Sequence, residues 1–233
     1  MTVERGAEDL RKRAAARAAS DLIVDGMLLG LGSGSTVAYL LEAIAERGLQ
    51  VRGLPTSEAT AAACRELGIE LLEPARVERL DLAIDGADEL DAELTATKGG
   101  GGALLREKVV ASMAERFVLI ATTDKVVDRL GETFPLPIEV VPFAVAPVTR
   151  WITERGYRVT LRSAGSGPAV VTDNGNHLLD ASLPGGIEDP AVEELWMAQL
   201  PGVVTSGLFV EMAERALLAD EDGQVLELTP SSR

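Results

Sequence analysis

The stretch LGLGSGSTVAYLLEAI, residues 29–44, constrains the chain most. It reads as the end of an apolar strand, a loop of alternating small residues and an amphipathic helix. A strand, a glycine turn and a helix in immediate succession form half of a parallel βαβ unit. The loop also places unpaired helix N–H groups, with their partial positive charge, where an anion can sit. Gly30, Gly32 and Gly34 allow close backbone approach, and Ser33, Ser35 and Thr36 add hydroxyls. A dinucleotide fingerprint needs glycine at position 35, which is Ser35, and a Walker loop needs a lysine before the Ser/Thr. The loop therefore suits a small phosphate ester, the alternative being a tight strand–helix turn with a serine cap.

The same logic repeats along the first half. VRGLPTS precedes a helix around 58–67 and the strand IELLEP. LDLAID (80–85) precedes a polar turn, KGGGG (98–102) and a helix from about 103 to 115, and FVLIAT (117–122) is a further buried strand. Alternating strands and helices, with a helix also at 7–24, predict a parallel sheet covered on both faces. From about residue 131 the texture changes. GETFPLPIEVVPFAVAP is proline-rich, RVTLRS and AVVTDNGNHLLDAS read as antiparallel strands with an Asn-Gly hairpin, and a helix follows near 190–199. VVTSGLF (203–209) is expected to return to the first sheet, and ALLAD with QVLELT to close it. The expected organisation is one α/β domain, residues 1–131 and 203–233, interrupted by a small α+β insert at 132–202.

Residue counts narrow the chemistry. The chain has 233 residues, with 46% hydrophobic and 25% charged, the balance of a globular protein. No apolar run reaches membrane-spanning length, no signal-peptide pattern is present, and Glu4, Glu8 and Asp9 speak against a transit peptide, so a cytoplasmic location is expected. A net charge of −15 disfavours general nucleic-acid binding, while leaving room for a locally positive pocket. Cys64 and His177 are each the sole residue of their type. No internal disulfide and no Cys/His zinc site can be built, and proton chemistry falls to Asp, Glu and Lys. Cys64, in the helical TAAACRELG, is expected to be a small buried residue, and His177 a strand residue.

Two further stretches carry candidate chemistry. LDLAIDGADEL (80–90) delivers Asp85 at a strand's C-terminal end, with Asp88 and Glu89 in the turn, where ligands of open α/β sheets bind. The alternative is an acidic turn capping a helix. In KGGGGALLREKVVASMAE (98–115), four consecutive glycines are costly in chain entropy without a steric or binding reason. In the helix that follows, Glu107 falls beside Ala103, Val110, Ala111 and Ala114, off the solvated face of Lys108, Ser112, Glu115 and Arg116. Desolvation there raises a carboxylate's pKa toward neutrality, as a general base requires. The alternative is a buried glutamate paired with Arg106 or Lys108.

Taken together, GLGSGST, DGADE and KGGGGALLREK closely resemble ribose-5-phosphate isomerases of the A type, and VVTDNGN, LPGVVTSGLF and FPLPIEVVP resemble that family as well. The resemblance spans nearly the whole chain. It implies a Rossmann-like, mostly parallel α/β domain with a small α+β insert. The implied activity is interconversion of ribose 5-phosphate and ribulose 5-phosphate in the pentose phosphate pathway, with no metal or organic cofactor, in a homodimer or homotetramer. By resemblance, Glu107 moves the proton between C1 and C2, Asp85 and Asp88 contact sugar hydroxyls and assist ring opening, and Lys98 sits at the reacting oxygen. Ser33, Gly34, Ser35 and Thr36 bind substrate with the phosphate near their hydroxyls. Gly86, Ala87, Gly99, Gly100, Gly101 and Lys125 complete the substrate site. A basic residue of the first helix reaches the phosphate: Lys12, with Arg11 and Arg13 as the neighbouring registers. The family loop often has Thr where Ser33 stands, which keeps the hydroxyl. Rival readings are a related amino-sugar-phosphate isomerase, a CoA transferase using a glutamate nucleophile, and a non-catalytic sugar-phosphate sensor.

Overall fold

The computed structural model describes residues 2–165 and 167–230. The expected first part's ends, residue 1 and residues 231–233, lie outside them. In chain order the elements are α1 (Thr2–Ser20), β1 (Leu28–Leu31), α2 (Ser35–Glu46), β2 (Arg52–Pro55), α3 (Glu58–Glu66), β3 (Glu70–Leu71), β4 (Leu82–Asp85), β5 (Glu89–Leu90), β6 (Ala96–Thr97), α4 (Leu104–Met113) and β7 (Phe117–Thr122). They continue with β8 (Leu136–Val140), α5 (Val145–Glu154), β9 (Arg158–Leu161), β10 (His177–Ser182), α6 (Pro190–Ala198), β11 (Val203–Ser206), β12 (Leu208–Phe209), β13 (Arg215–Ala219) and β14 (Val225–Leu228).

Strands of the main sheet are apolar on both sides because both sides are covered. Leu29, Leu31, Leu82, Ile84, Val118 and Ile120 pack with α1 and α2 in one cluster. The alternate residues Ala83, Phe117, Leu119 and Ala121 pack with Val110 and Ala111 of α4 in another. The resulting α/β sheet has seven strands in the order β14-β13-β7-β4-β1-β2-β3, parallel except for the antiparallel edge strand β14. From β1 the chain builds outward through β2 and β3, then returns to β4 on the other side of β1. The carboxyl ends of β1 and β4 thus flank the topological switch point, where the strand order reverses and a crevice opens.

Residues of the second half build a four-stranded antiparallel sheet, β11-β8-β10-β9. Its own core joins Leu136, Ile138 and Val140 to Val148 and Ile152 of α5 and Met197 of α6. Two expectations need correction. VVTSGLF does not return to the main sheet: β11 pairs with β8, and β12 pairs with β6 in a three-stranded sheet with β5. The prolines of 131–147 also conceal a helix, α5, whose Pro147 lies in the first turn, where a missing N–H costs nothing. The Asn-Gly turn is present as a five-residue loop closed by the Val171–His177 bridge. Cys64 is fully buried and His177 opens β10. None of the described helices is long and apolar enough to cross a membrane.

Candidate active site

Three neighbouring strand ends supply the site. After β1, the chain turns at Gly32 and enters α2 through Gly34, whose φ of 96° belongs to the left-handed region that glycine tolerates. Gly32 is required by proximity: a Cβ there would lie 2.0 Å from the Asp85 carboxylate. The Asp85 Oδ1 accepts from the backbone N–H of Ser33 at 3.0 Å and of Gly86 at 2.7 Å, so one carboxylate fixes both loops. No side chain caps α2. The serine-capped turn is therefore not what the loop builds, and the N-terminal N–H groups of α2 have no side-chain acceptor.

The loop's hydroxyls divide in two. Ser33 Oγ is engaged with Thr56, Ser57 and Thr60 at 2.8, 2.9 and 3.3 Å, which ties the loop to the start of α3. Ser35 and Thr36 face a cavity of about 210 Å³. Ser33 lines this cavity as well, so the three expected hydroxyls border one space, with that of Ser33 also held by the start of α3.

Lys98 follows β6, and its backbone N–H donates to Gly207 O at 2.8 Å. Its Nζ donates to Gly86 O at 2.6 Å and lies 2.9 Å from Asp85 Oδ2 and 3.3 Å from Glu107 Oε2. The side chains of Lys98, Asp85 and Glu107 are only 3%, 4% and 5% exposed, so this trio is dry. Glu107 enters from the first turn of α4, and its Oε2 makes no directed hydrogen bond. Burial pushes the Glu107 carboxyl up to about 8, with the Asp85 charge adding to the rise and Lys98 opposing it. Burial works against the Lys98 ammonium, but the Asp85 and Glu107 charges outweigh it and hold its pKa above the ordinary lysine value. Glu107's partner is therefore neither Arg106, which binds Glu58 and Asn174, nor Lys108, which binds Glu194.

Asp88 caps no helix. It lies between β4 and β5 and lines the cavity. Its Oδ2 accepts from the Gly100 N–H at 2.8 Å. Burial raises its pKa, opposed by that N–H and by the charges of Lys98, Lys125 and Arg162. Glu89 turns away from the site to accept four hydrogen bonds from Gly131, Thr133 and Phe134.

The same cavity is lined by Gly34, Gly86, Ala87, Gly99, Gly100 and Gly101, and by Lys98 and Glu107 at its base. Lys125 reaches it from the turn after β7 and Lys12 from α1. The neighbouring basic residues of α1 turn elsewhere: Arg11 pairs with Asp124, and Arg13 pairs with Glu42 and lies over the Tyr39 ring. Asp85 alone of the expected residues is beneath the cavity wall rather than in it. Two contributors escaped the sequence. Glu8 lines the cavity and pairs with Lys12 at 2.6 Å, and its i,i+4 spacing was the available signal. Arg162 reaches the glycine loop from the four-stranded sheet, and no local pattern marks it. Among the described residues, no three His, Cys, Asp or Glu side chains converge as metal ligands would.

Fold and site together define an α/β enzyme that handles a small anionic molecule beside a buried carboxylate with an elevated pKa. The family model for ribose 5-phosphate isomerase A (phosphoriboisomerase A) matches residues 52–223. Ribose-5-phosphate isomerase A of Thermomicrobium roseum is 48% identical over 222 residues, covering 94% of this chain and 93% of that one. That of Gloeobacter violaceus is 47% identical, covering 96% and 98%. The solved ribose 5-phosphate isomerase of Plasmodium falciparum has a TM-score of 0.91 at 34% identity, covering 97% of this chain and all of that one. A solved D-ribose-5-phosphate isomerase in complex with phospho-erythronic acid has a TM-score of 0.90 at 35% identity, covering 94% and 97%. The chain belongs to the ribose-5-phosphate isomerase A family.

Proposed function

We propose that the cavity at the β1–β4 switch point holds an open-chain pentose phosphate while Glu107 moves a proton between C1 and C2. The enzyme interconverts ribose 5-phosphate and ribulose 5-phosphate, an aldose–ketose isomerisation of the pentose phosphate pathway. The observation that carries the residue assignment is the dry trio: Glu107 has an elevated pKa and lies 3.3 Å from a lysine already paired with Asp85.

The steps follow from that arrangement. Asp88, on the cavity wall with Oδ1 free of protein hydrogen bonds among the described residues, takes the anomeric hydroxyl proton as the C1–O4 bond breaks and passes it to O4, which becomes a hydroxyl. Asp85 stays bound to Lys98 and the two loops and organises the site. The Glu107 carboxylate removes the C2 proton, and the released electron pair forms the C1–C2 double bond as the aldehyde oxygen becomes an enediolate. The Lys98 ammonium neutralises that oxygen; one preorganised donor of this kind contributes ~3–4 kcal/mol. Transfer of a proton from O2 to O1 and return of the proton from Glu107 to C1, as the C2–O2 bond becomes the carbonyl, yield the ketose. The loop Ser33, Gly34, Ser35 and Thr36, with Lys12, Lys125 and the α2 N-terminus, takes the phosphate, whose binding energy holds the reacting carbons in place. Gly86, Ala87, Gly99, Gly100 and Gly101 let the backbone approach the sugar closely.

We further propose a two-part chain, with the second part running from residue 132 to residue 206 so that β11 stays with its own sheet. A homodimer or homotetramer and a cytoplasmic location complete the reading. Incubation with ribose 5-phosphate in heavy water tests it. Ribulose 5-phosphate carrying solvent deuterium at C1, to the extent that the Glu107 carboxyl exchanges its proton before returning it, is expected; no turnover of this sugar would refute the reading.

A further inference from the structure

The geometry points to Arg162 and Asp180 as positioning residues for Asp88, acting through the single peptide unit that joins Gly99 to Gly100. This inference rests on the isomerase reading and assigns no atom of the pair to the substrate.

Arg162 follows β9 and Asp180 lies on β10, both in the four-stranded sheet rather than the main one. Asp180 grips the guanidinium at two points, Nε–Oδ2 at 2.9 Å and Nη2–Oδ1 at 2.5 Å, the planar fork geometry that fixes an arginine's direction. The pair is mostly buried, at 16% and 19% exposed. The remaining nitrogen, Nη1, donates to two successive carbonyls of the glycine run, Gly99 O at 2.9 Å and Gly100 O at 3.0 Å.

The Gly99 carbonyl and the Gly100 N–H belong to one rigid amide plane and point in opposite directions. One end of that plane is held by Arg162, and the other donates to Asp88 Oδ2 at 2.8 Å. A carbonyl accepting from a cation polarises its amide and strengthens the N–H on the far side. Asp180, Arg162, the peptide and Asp88 therefore form one directed chain, from the second sheet into the cavity.

The glycines follow from this chain. A Cβ on Gly100 would lie 2.5 Å from Asp88 Oδ1, and Gly99 holds a φ of 106°. Only a residue without a side chain lets the peptide pass between guanidinium and carboxylate. The other charges facing Asp88 are Lys98 and Lys125, with Glu107 of opposite effect across the cavity, so Arg162 is the one cation that also sets the donor geometry.

A thermodynamic cycle separates this role from that of a general staple between sheets. The proteins are wild type, Arg162→Lys, Asp88→Asn and the double variant, with Arg162→Met and Asp180→Asn run in the same way. Arg162→Lys keeps the charge but loses the fork, so kcat is expected to fall by about 10²-fold with KM little changed. In the Asp88→Asn background the same substitution is expected to cost less than about 3-fold, because the group being positioned is already altered. Should Asp88→Asn turnover fall below detection, Asp88→Glu, which keeps a carboxylate but moves it, takes its place in the same kcat cycle. Equal fold-losses in the two backgrounds, or no loss from Arg162→Lys in the wild-type background, overturn the inference. Wild-type turnover of ribose 5-phosphate is the control: its absence would defeat the isomerase reading instead.

Discussion

At the scale of the residue, Glu107 shows what sequence reading reaches and where it stops. Its place beside Ala103, Val110 and Ala111 marked it as a carboxylate on an apolar helix face, and the structure buries it there. Its partner was not legible. Arg106 and Lys108 are adjacent in sequence but sit about 100° away on either side of the helix and leave for other elements. Lys98 arrives from the far side of the glycine loop, a contact only the tertiary fold creates. Two predictions belong here. Because a proton-abstracting base must be ionised in the free enzyme, kcat/KM should rise with pH through a limb near 8, where burial places Glu107. A limb confined to pH 4–5 would return Glu107 to an ordinary solvated glutamate. Lys98→Ala should lose mainly kcat, roughly 10²–10³-fold, since the lysine meets charge that develops only in the transition state. The same variant should melt at a lower temperature, because two buried carboxylates lose their cation. A loss confined to KM would make Lys98 a binding residue only.

At the scale of the element, long periodic segments were legible and short ones were not. The helix–strand alternation through residue 122 gave β1, α2, α3, β4, α4 and β7 nearly as they stand. Strands β5, β6 and β12 have two residues each, too few to show a period of two, and they exist because the three-stranded sheet pairs them. VVTSGLF was misplaced for the same reason: Gly207 breaks it into β11 and β12, which serve different sheets. The motif order in sequence marked stretches that the fold brings to one cavity, whereas the Arg162 brace needed knowledge of how two sheets meet. Helix α1 carries its own prediction. Successive residues on it face three ways, with Lys12 toward the cavity, Arg11 toward Asp124 and Arg13 toward Glu42. Lys12→Ala should raise KM for ribose 5-phosphate roughly ten-fold, the loss of one charge-assisted contact, and leave kcat near normal. Arg13→Ala, which breaks an exposed pair with Glu42 and a ring contact with Tyr39, both away from the cavity, should change neither. Steady-state kinetics on both variants checks the register; the opposite pattern would place Arg13 at the phosphate.

At the scale of the whole molecule, a chain of net charge −15 concentrates Lys12, Lys98 and Lys125 on one cavity. The carboxylates Glu8, Asp88 and Glu107 line the same cavity, so it mixes both signs of charge on an acidic chain, and local placement rather than net charge decides what it holds. The fold explains the concentration: β1, β4 and β7 are adjacent and parallel, so their carboxyl ends deliver the serine loop, the aspartates and Lys125 to one place. Three stretches far apart in sequence thereby become one site, held from the second sheet by Arg162. In this site Glu107 carries the proton between C1 and C2, Lys98 meets the charge on the enediolate, Asp88 serves ring opening, and the remaining residues bind and orient the sugar. The most direct measurement sets Glu107→Gln beside wild type, with calorimetric affinity for ribose 5-phosphate and turnover in heavy water read on the same samples. Affinity within several-fold of wild type is expected, with nearly complete loss of both turnover and deuterium incorporation at C1. Near-normal turnover in Glu107→Gln would contradict it.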